Sequence, residues 1–168
     1  MEYRPKIAIH YSKKDKLLEG ISLLLLLVLW LVSLRFYPLL PDVIAIHFNG
    51  AGQTDGYGSR SSLFLLPLLA TIIYGGTTLL NRHPHIFNYG KSITLENAHR
   101  LYSRATLFIR IVKLLVLLIF LIIVVVVIRT SLHDSAGPGP LFLPVLLTPL
   151  ILATGWTLAS MWRETKTD

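Results

Sequence analysis

Four apolar runs separated by polar connections dominate the chain. Ile21–Leu34 is free of charge and widens to Leu17–Leu40 when Glu19 and Arg35 are placed at its lips. Leu63–Leu80 and Leu141–Trp162 carry no charge, and Leu114–Ile128 lies between Lys113 and Arg129 and extends back through Ala105. A bilayer core takes ~20 apolar residues per helix. The pattern predicts an all-α integral membrane protein with four transmembrane helices, at about 17–37, 62–80, 106–129 and 141–162. The whole chain, 1–168, reads as one membrane domain without an internal repeat.

Local signals punctuate these runs. Pro38 and Pro41 end the first span, because proline cannot donate to a helix and pushes its predecessor out of the helical region. Ser61 or Ser62 is placed to cap the second span, and Pro67 to kink it. Gly75-Gly76-Thr77-Thr78 is a run of small residues that permits close helix packing. Thr94 is placed as an N-cap with Glu96 in the first turn. From there Leu95, Ala98, Tyr102, Ala105 and Ile109 share one helical face, so 94–105 reads as an amphipathic segment. It lies along the interface or runs straight into the third span. Pro140 suits the first turn of the fourth span, Pro144 and Pro149 bend it, and Trp156 and Trp162 suit an aromatic belt.

Composition agrees: 53% of residues are hydrophobic and the mean hydropathy is +0.61. The net charge of +7 changes the picture through its distribution. Thirteen of the sixteen basic residues precede the first span, join the second to the third, or follow the fourth; Arg35, Arg60 and Arg129 are the others. Basic residues stay on the cytoplasmic side. The expected topology is N-in and C-in, with an ordered extracytoplasmic loop between helices 1 and 2. The basic excess then reports topology and affinity for the lipid bilayer, not a nucleic-acid partner. Arg110 and Lys113 are read as snorkelling to the inner headgroups. No small-x-small cleavage site follows the first run, which is read as an uncleaved anchor. With no cysteine, the chain has no disulfide or thiolate chemistry.

Candidate chemistry concentrates in the first outer loop. His47-Phe48-Asn49-Gly50-Ala51-Gly52-Gln53-Thr54-Asp55-Gly56-Tyr57-Gly58 sets polar side chains on a glycine-rich backbone, which can approach a ligand closely. Val43–Phe48 is β-prone, and Asn49-Gly50 and Asp55-Gly56 are turn signals. His47 with Asp55 or Asp42 could ligate a metal, as could His83 and His85, which flank Pro84 in the second connection. A hydrogen-bonding role for His47, or a solvated loop for His83 and His85, is the plainer alternative. His133 with Asp134 is a further outer pair. No HExxH, EF-hand, P-loop or nucleophile elbow occurs. Between its lips no span holds an ionisable residue, which argues against a proton-coupled pump.

Tyr37-Pro38-Leu39-Leu40-Pro41-Asp42, then His47-Phe48-Asn49, Gly52 and Asp55-Gly56-Tyr57-Gly58-Ser59-Arg60, carry a resemblance. The chain resembles a small bacterial membrane-protein domain of unknown function found at the N-terminus of SdpI-like immunity and signalling proteins. The resemblance covers roughly residues 21–128 and implies a multi-pass protein of the bacterial cytoplasmic membrane. SdpI-like proteins continue into a further helical domain, whereas this chain has one more span.

The expected function is binding or sensing through the 42–60 loop. Asp42, His47, Asn49, Gln53, Asp55, Tyr57 and Arg60 would contact a peptide, an envelope component or a membrane-protein partner. No catalytic residue and no cofactor are assigned, and catalysis is disfavoured. Two further readings stay open: a metal-dependent membrane enzyme or small transporter, and an accessory subunit of a membrane complex. Homo-oligomerisation is compatible with either.

Overall fold

The computed structural model describes residues 4–90, 92–133 and 135–165, without the side chains of Leu158 and 161–165. Lys91, Asp134 and the Trp162 side chain, which figured in the sequence reading, lie outside the described residues. The chain is mostly helical. Helix α1 is Lys13–Phe36, α2 Leu65–Leu80, α3 Leu95–His133 and α4 Phe142–Thr165. Strands β1 (Val43–Phe48) and β2 (Thr54–Ser59) join α1 to α2, flanked by short 3-10 turns at Tyr37–Leu39 and Arg60–Phe64. Lys13–Leu39, Arg60–Leu80 and Leu95–His133 are long and apolar enough to cross a membrane, and α4 adds a shorter apolar stretch, Phe142–Thr157.

Side-chain burial supports a membrane setting. Leu24, Leu27 and Leu31 of α1, Leu68 and Ile72 of α2, and Ile151 and Leu152 of α4 are exposed. Such a greasy outer surface is stable where lipid, not water, covers it. The core lies between the helices: Leu26 and Leu29 of α1, Ala70 of α2, and Leu117, Val124 and Val127 of α3 pack with Leu40, Ile44 and Leu63. Helix α3 is the central element, packing against α1, α2 and α4.

The first departure from an all-α fold is the hairpin. β1 and β2 pair antiparallel, Val43 opposite Ser59 and Phe48 opposite Thr54. β-branched Val43, Ile44 and Ile46 favour the extended state, and glycines at 56 and 58 leave room for the opposing side chains. A Cβ at Gly56 would lie 2.8 Å from that of His47, and one at Gly58 2.8 Å from Ile46 Cδ1.

Three helix details refine the sequence reading. Pro67 falls in the first turn of α2, where no intrahelical hydrogen bond is lost. Neither Ser61 nor Ser62 caps α2; Ser59 caps the preceding 3-10 turn through Ser61 N. The amphipathic segment at 94–105 runs straight into the third span, one of the two alternatives the sequence left open, since α3 is unbroken for 39 residues. Its buried face there is Ala98, Leu101, Tyr102 and Ala105, while Leu95 is 77% exposed.

That lower part of α3 builds a second, smaller core with Tyr89 and Ile93, covered by Ile7, Ile9 and Phe87. The N-terminal segment 4–12 therefore straps across the end of the molecule away from the hairpin. Arg4 Nη1 donates to the carbonyls of Phe87 (2.5 Å) and His85 (3.3 Å). Tyr102 Oη donates to Pro5 O at 3.0 Å. Below α2, the buried Asn81 donates to Thr106 O at 3.3 Å, tying the connection to α3.

Candidate functional site

The hairpin is held at its base, its side and its tip. At the base, Arg60 N–H donates to Asp42 O at 2.9 Å, and the Arg60 guanidinium lies 3.5 Å from the Asp42 carboxylate and 5.3 Å from the Tyr37 ring centre. At the side, Ala45 N–H donates to Ser131 Oγ of α3 at 3.1 Å. At the tip, Asn49 Oδ1 accepts from Ala51 N and Gln53 N at 2.9 and 3.0 Å, an Asx turn of the kind asparagine favours. Its amide also donates to Gln53 Oε1 at 3.5 Å.

The α3–α4 connection clamps this tip, backbone on backbone. Thr54 N–H donates to Ala136 O at 2.9 Å and Gly139 N–H to Gly52 O at 3.2 Å. Gly52 (φ +69°) and Gly137 (φ +124°) hold left-handed conformations, and a Cβ on Gly52 would sit 1.9 Å from Gly139 O. Only glycine permits that approach. Phe48 and Phe142 meet edge to face at 6.0 Å.

On the flank of this frame the His47–Asp55 pair faces outward. Register irregularities around His47 leave Asp55 without a cross-strand partner, and bulges of this kind re-aim side chains. His47 Nδ1 lies 2.5 Å from Asp55 Oδ1, with side chains 69% and 43% exposed. Tyr57 nearby is 66% exposed. Beneath β1, a cavity of about 380 Å³ opens between the hairpin, α2 and α3, lined by Ile44, Ile46, Leu63, Leu66, Ile123 and Val127. Only Ser62 adds a side-chain hydroxyl to that lining.

The seven loop residues thus resolve into separate groups. Asp42 pairs with Arg60 at the base, Asn49 with Gln53 at the tip, His47 with Asp55 on the exposed flank, and Tyr57 lies opposite Ala45 in the ladder with its ring exposed. Across the molecule, His83 precedes a 3-10 turn that contains His85, and the two rings meet edge to face at 6.0 Å. Among the described residues, no three His, Asp or Glu side chains gather closely enough to hold a metal ion.

The sequence reading missed a second site. Arg110 and Lys113 do not snorkel outward; they are 1% and 0% exposed. Lys113 Nζ donates to Glu19 Oε2 at 2.6 Å and to Thr78 Oγ1 at 2.9 Å, with the Tyr74 ring centre 4.6 Å away. Arg110 lies 3.1 Å from Asp15 Oδ1 and 3.3 Å from Glu19 Oε1, with the Tyr11 ring centre 4.5 Å from its guanidinium. Two carboxylates and two cations balance one another where an unpaired charge would be costly. A buried ionisable network thus sits at the lips of the first and third spans, where the sequence was read as offering only snorkelling side chains. Its outward continuation is blocked: Leu26, Leu29, Leu117 and Val124 fill the core beyond it. The available signal was spacing. Asp15 and Glu19 fall four apart on α1, and Arg110 and Lys113 three apart on α3, each on one helical face.

Comparison with known proteins locates the resemblance on the α1–hairpin–α2 unit. Residues 24–71 match the family model of a domain of unknown function, DUF1648. An uncharacterised protein of the archaeon Archaeoglobus fulgidus is 33% identical over 81 residues, covering 44% of each chain. The chain therefore spans under half the length of that relative. No solved structure matches.

Proposed function

We propose that this is a membrane-embedded binding or sensing protein whose hairpin recognises an amphipathic peptide or envelope component outside the membrane. The observation that carries this reading is the exposed His47–Asp55 pair, displayed on a hairpin that is itself fixed at base, side and tip. The pair bridges β1 and β2 yet leaves both side chains open to a ligand. Preorganised polar groups bind without a large ordering cost. The apolar cavity beneath β1 lies beside them, so a ligand with one polar and one apolar face suits the site.

Sidedness rests on charge. The basic residues gather at the strap end and in the α2–α3 connection, which supports a cytoplasmic side for that end and an outer side for the hairpin. The resemblance to SdpI-like proteins makes immunity against an envelope-active peptide the specific form of the proposal, in the cytoplasmic membrane of a prokaryote.

The test is protection. Cells making the protein are challenged with an amphipathic envelope-active peptide, beside cells making a His47→Ala/Asp55→Ala variant at equal membrane level. The reading expects survival with the parent and loss of survival with the variant. Equal survival with both, or no protection by the parent, would contradict it.

A further inference from the structure

The strap and the buried charges meet at one side chain. Arg110 touches Tyr11, the penultimate strap residue, and Asp15, whose other oxygen caps α1 by accepting from Ser12 N at 2.9 Å and Ser12 Oγ at 2.7 Å. The Asp15 carboxylate is thus a junction between the strap's end and α3. Elsewhere the strap is lightly held. Among the described residues, no backbone–backbone hydrogen bond joins residues 4–11 to the rest of the chain. Its docking rests on Arg4, on Tyr102 with Pro5, on Ile7 and Ile9, and on Arg110. Segments with few backbone bonds and modest apolar contact open at low free-energy cost.

The ionic hub is suited to release. Arg110 Nε and Nη1 and Glu19 Oε1 sit within ion-pair reach of one another's network but make no aligned hydrogen bond. The hub is held by charge more than by direction. Glu19 is also shared: if Arg110 withdraws, Lys113 still neutralises it. Loss of the Arg110 contacts therefore frees the strap end and removes two of the α1–α3 ion pairs, while Lys113–Glu19 stays in place.

We propose that residues 4–12 form a releasable strap and that Arg110, through Tyr11 and Asp15, is the latch that keeps it docked. Release uncovers the Tyr89–Tyr102 aromatic pair, whose ring centres stand 5.4 Å apart, together with Ile93. That opens an apolar surface on the polar end of the molecule, in the manner of an autoinhibitory cover. The inference does not depend on the hairpin's role.

The native chain lacks cysteine, so paired spin labels report without background. One pair, Ala8→Cys with His99→Cys, reads the strap against α3; a second, Leu31→Cys with Ile72→Cys, reads the bundle. In the full-length protein in lipid nanodiscs, the first pair is expected to give one narrow distance. Arg110→Met and, at the half-exposed ring, Tyr11→Ala should each shift the majority to a broad, longer distribution while the bundle pair stays unchanged. Should Arg110→Met not assemble, Tyr11→Ala carries the test alone. A narrow Ala8–His99 distance in Tyr11→Ala, or broadening of both pairs together, would overturn the latch.

Discussion

Lys113 and Glu19, 94 residues apart, close the α1–α3 seam with a 2.6 Å charge-assisted hydrogen bond around a fully buried ammonium. Thr78 supplies a second acceptor from α2, so one nitrogen binds three helices together. Removing one member of a buried pair leaves the other uncompensated and costs about 3–5 kcal/mol, whereas replacing both by apolar groups of similar volume is often neutral.

Lys113→Met is therefore expected to destabilise by less than the about 3–5 kcal/mol of a wholly stranded charge, because Arg110 still faces Glu19, and Glu19→Leu/Lys113→Met to recover part of that loss. Denaturant unfolding in detergent, arranged as a double-mutant cycle, measures the coupling. Additive losses would show that the two side chains do not support each other.

The hairpin clamp gives a second contrast. Gly52→Ala forces a Cβ against Gly139 O at a positive φ, and a strained backbone of this kind costs about 1–3 kcal/mol. Gly20→Ala, inside α1 with open space around it, removes a flexible residue and should stabilise by up to about 1 kcal/mol. Melting temperatures of the two variants should move in opposite directions from the parent.

Ser131 holds β1 to α3 through the amide of the buried Ala45. Ser131→Ala orphans that N–H, a loss of about 1–3 kcal/mol. Hydrogen exchange at Ala45 should accelerate in Ser131→Ala and stay near the parent rate in Ser131→Thr, which keeps the hydroxyl.

How much of this was legible in the sequence follows from what each signal depends on. Apolar length announces a spanning helix by itself, so α1, α2 and α3 could be seen in the hydropathy alone. Val43–Phe48 and Asn49-Gly50 marked an extended segment and a turn, but β2 is Thr-Asp-Gly-Tyr-Gly-Ser, whose two glycines and aspartate weaken its strand signal. It is extended because β1 and the α3–α4 connection hold it there. The ionic hub was hidden for a related reason. A lysine near the end of an apolar run reads equally as snorkelling or as paired, and only the packing of α1 on α3 decides between them. The joining of hairpin tip and Gly137–Gly139 likewise spans the length of α3, beyond any local pattern.

Tyr89 supplies a pH-dependent prediction at the strap end. Burial pushes its phenol well above the ordinary tyrosine value, the neighbouring Tyr102 adds to the rise, and Arg4 opposes it. Its Oη donates to Pro84 O at 2.8 Å, a bond that exists only while the phenol is protonated. A raised folded-state pKa means that this contribution is complete below the unfolded value, near 10, and is lost as pH climbs through the higher folded value. Spectrophotometric titration should show one tyrosine fewer ionising late in Tyr89→Phe than in the parent. The same late-ionising count in both proteins would place the perturbed phenol elsewhere.

The account stands most directly on which side of the membrane the hairpin faces. The measurement is labelling of single cysteines by a membrane-impermeant maleimide in intact cells, at the exposed Tyr57 on the hairpin and the exposed His10 on the strap. The account predicts that Tyr57→Cys is labelled from outside and His10→Cys only after permeabilisation. Labelling of His10→Cys in intact cells, with Tyr57→Cys protected, would contradict it.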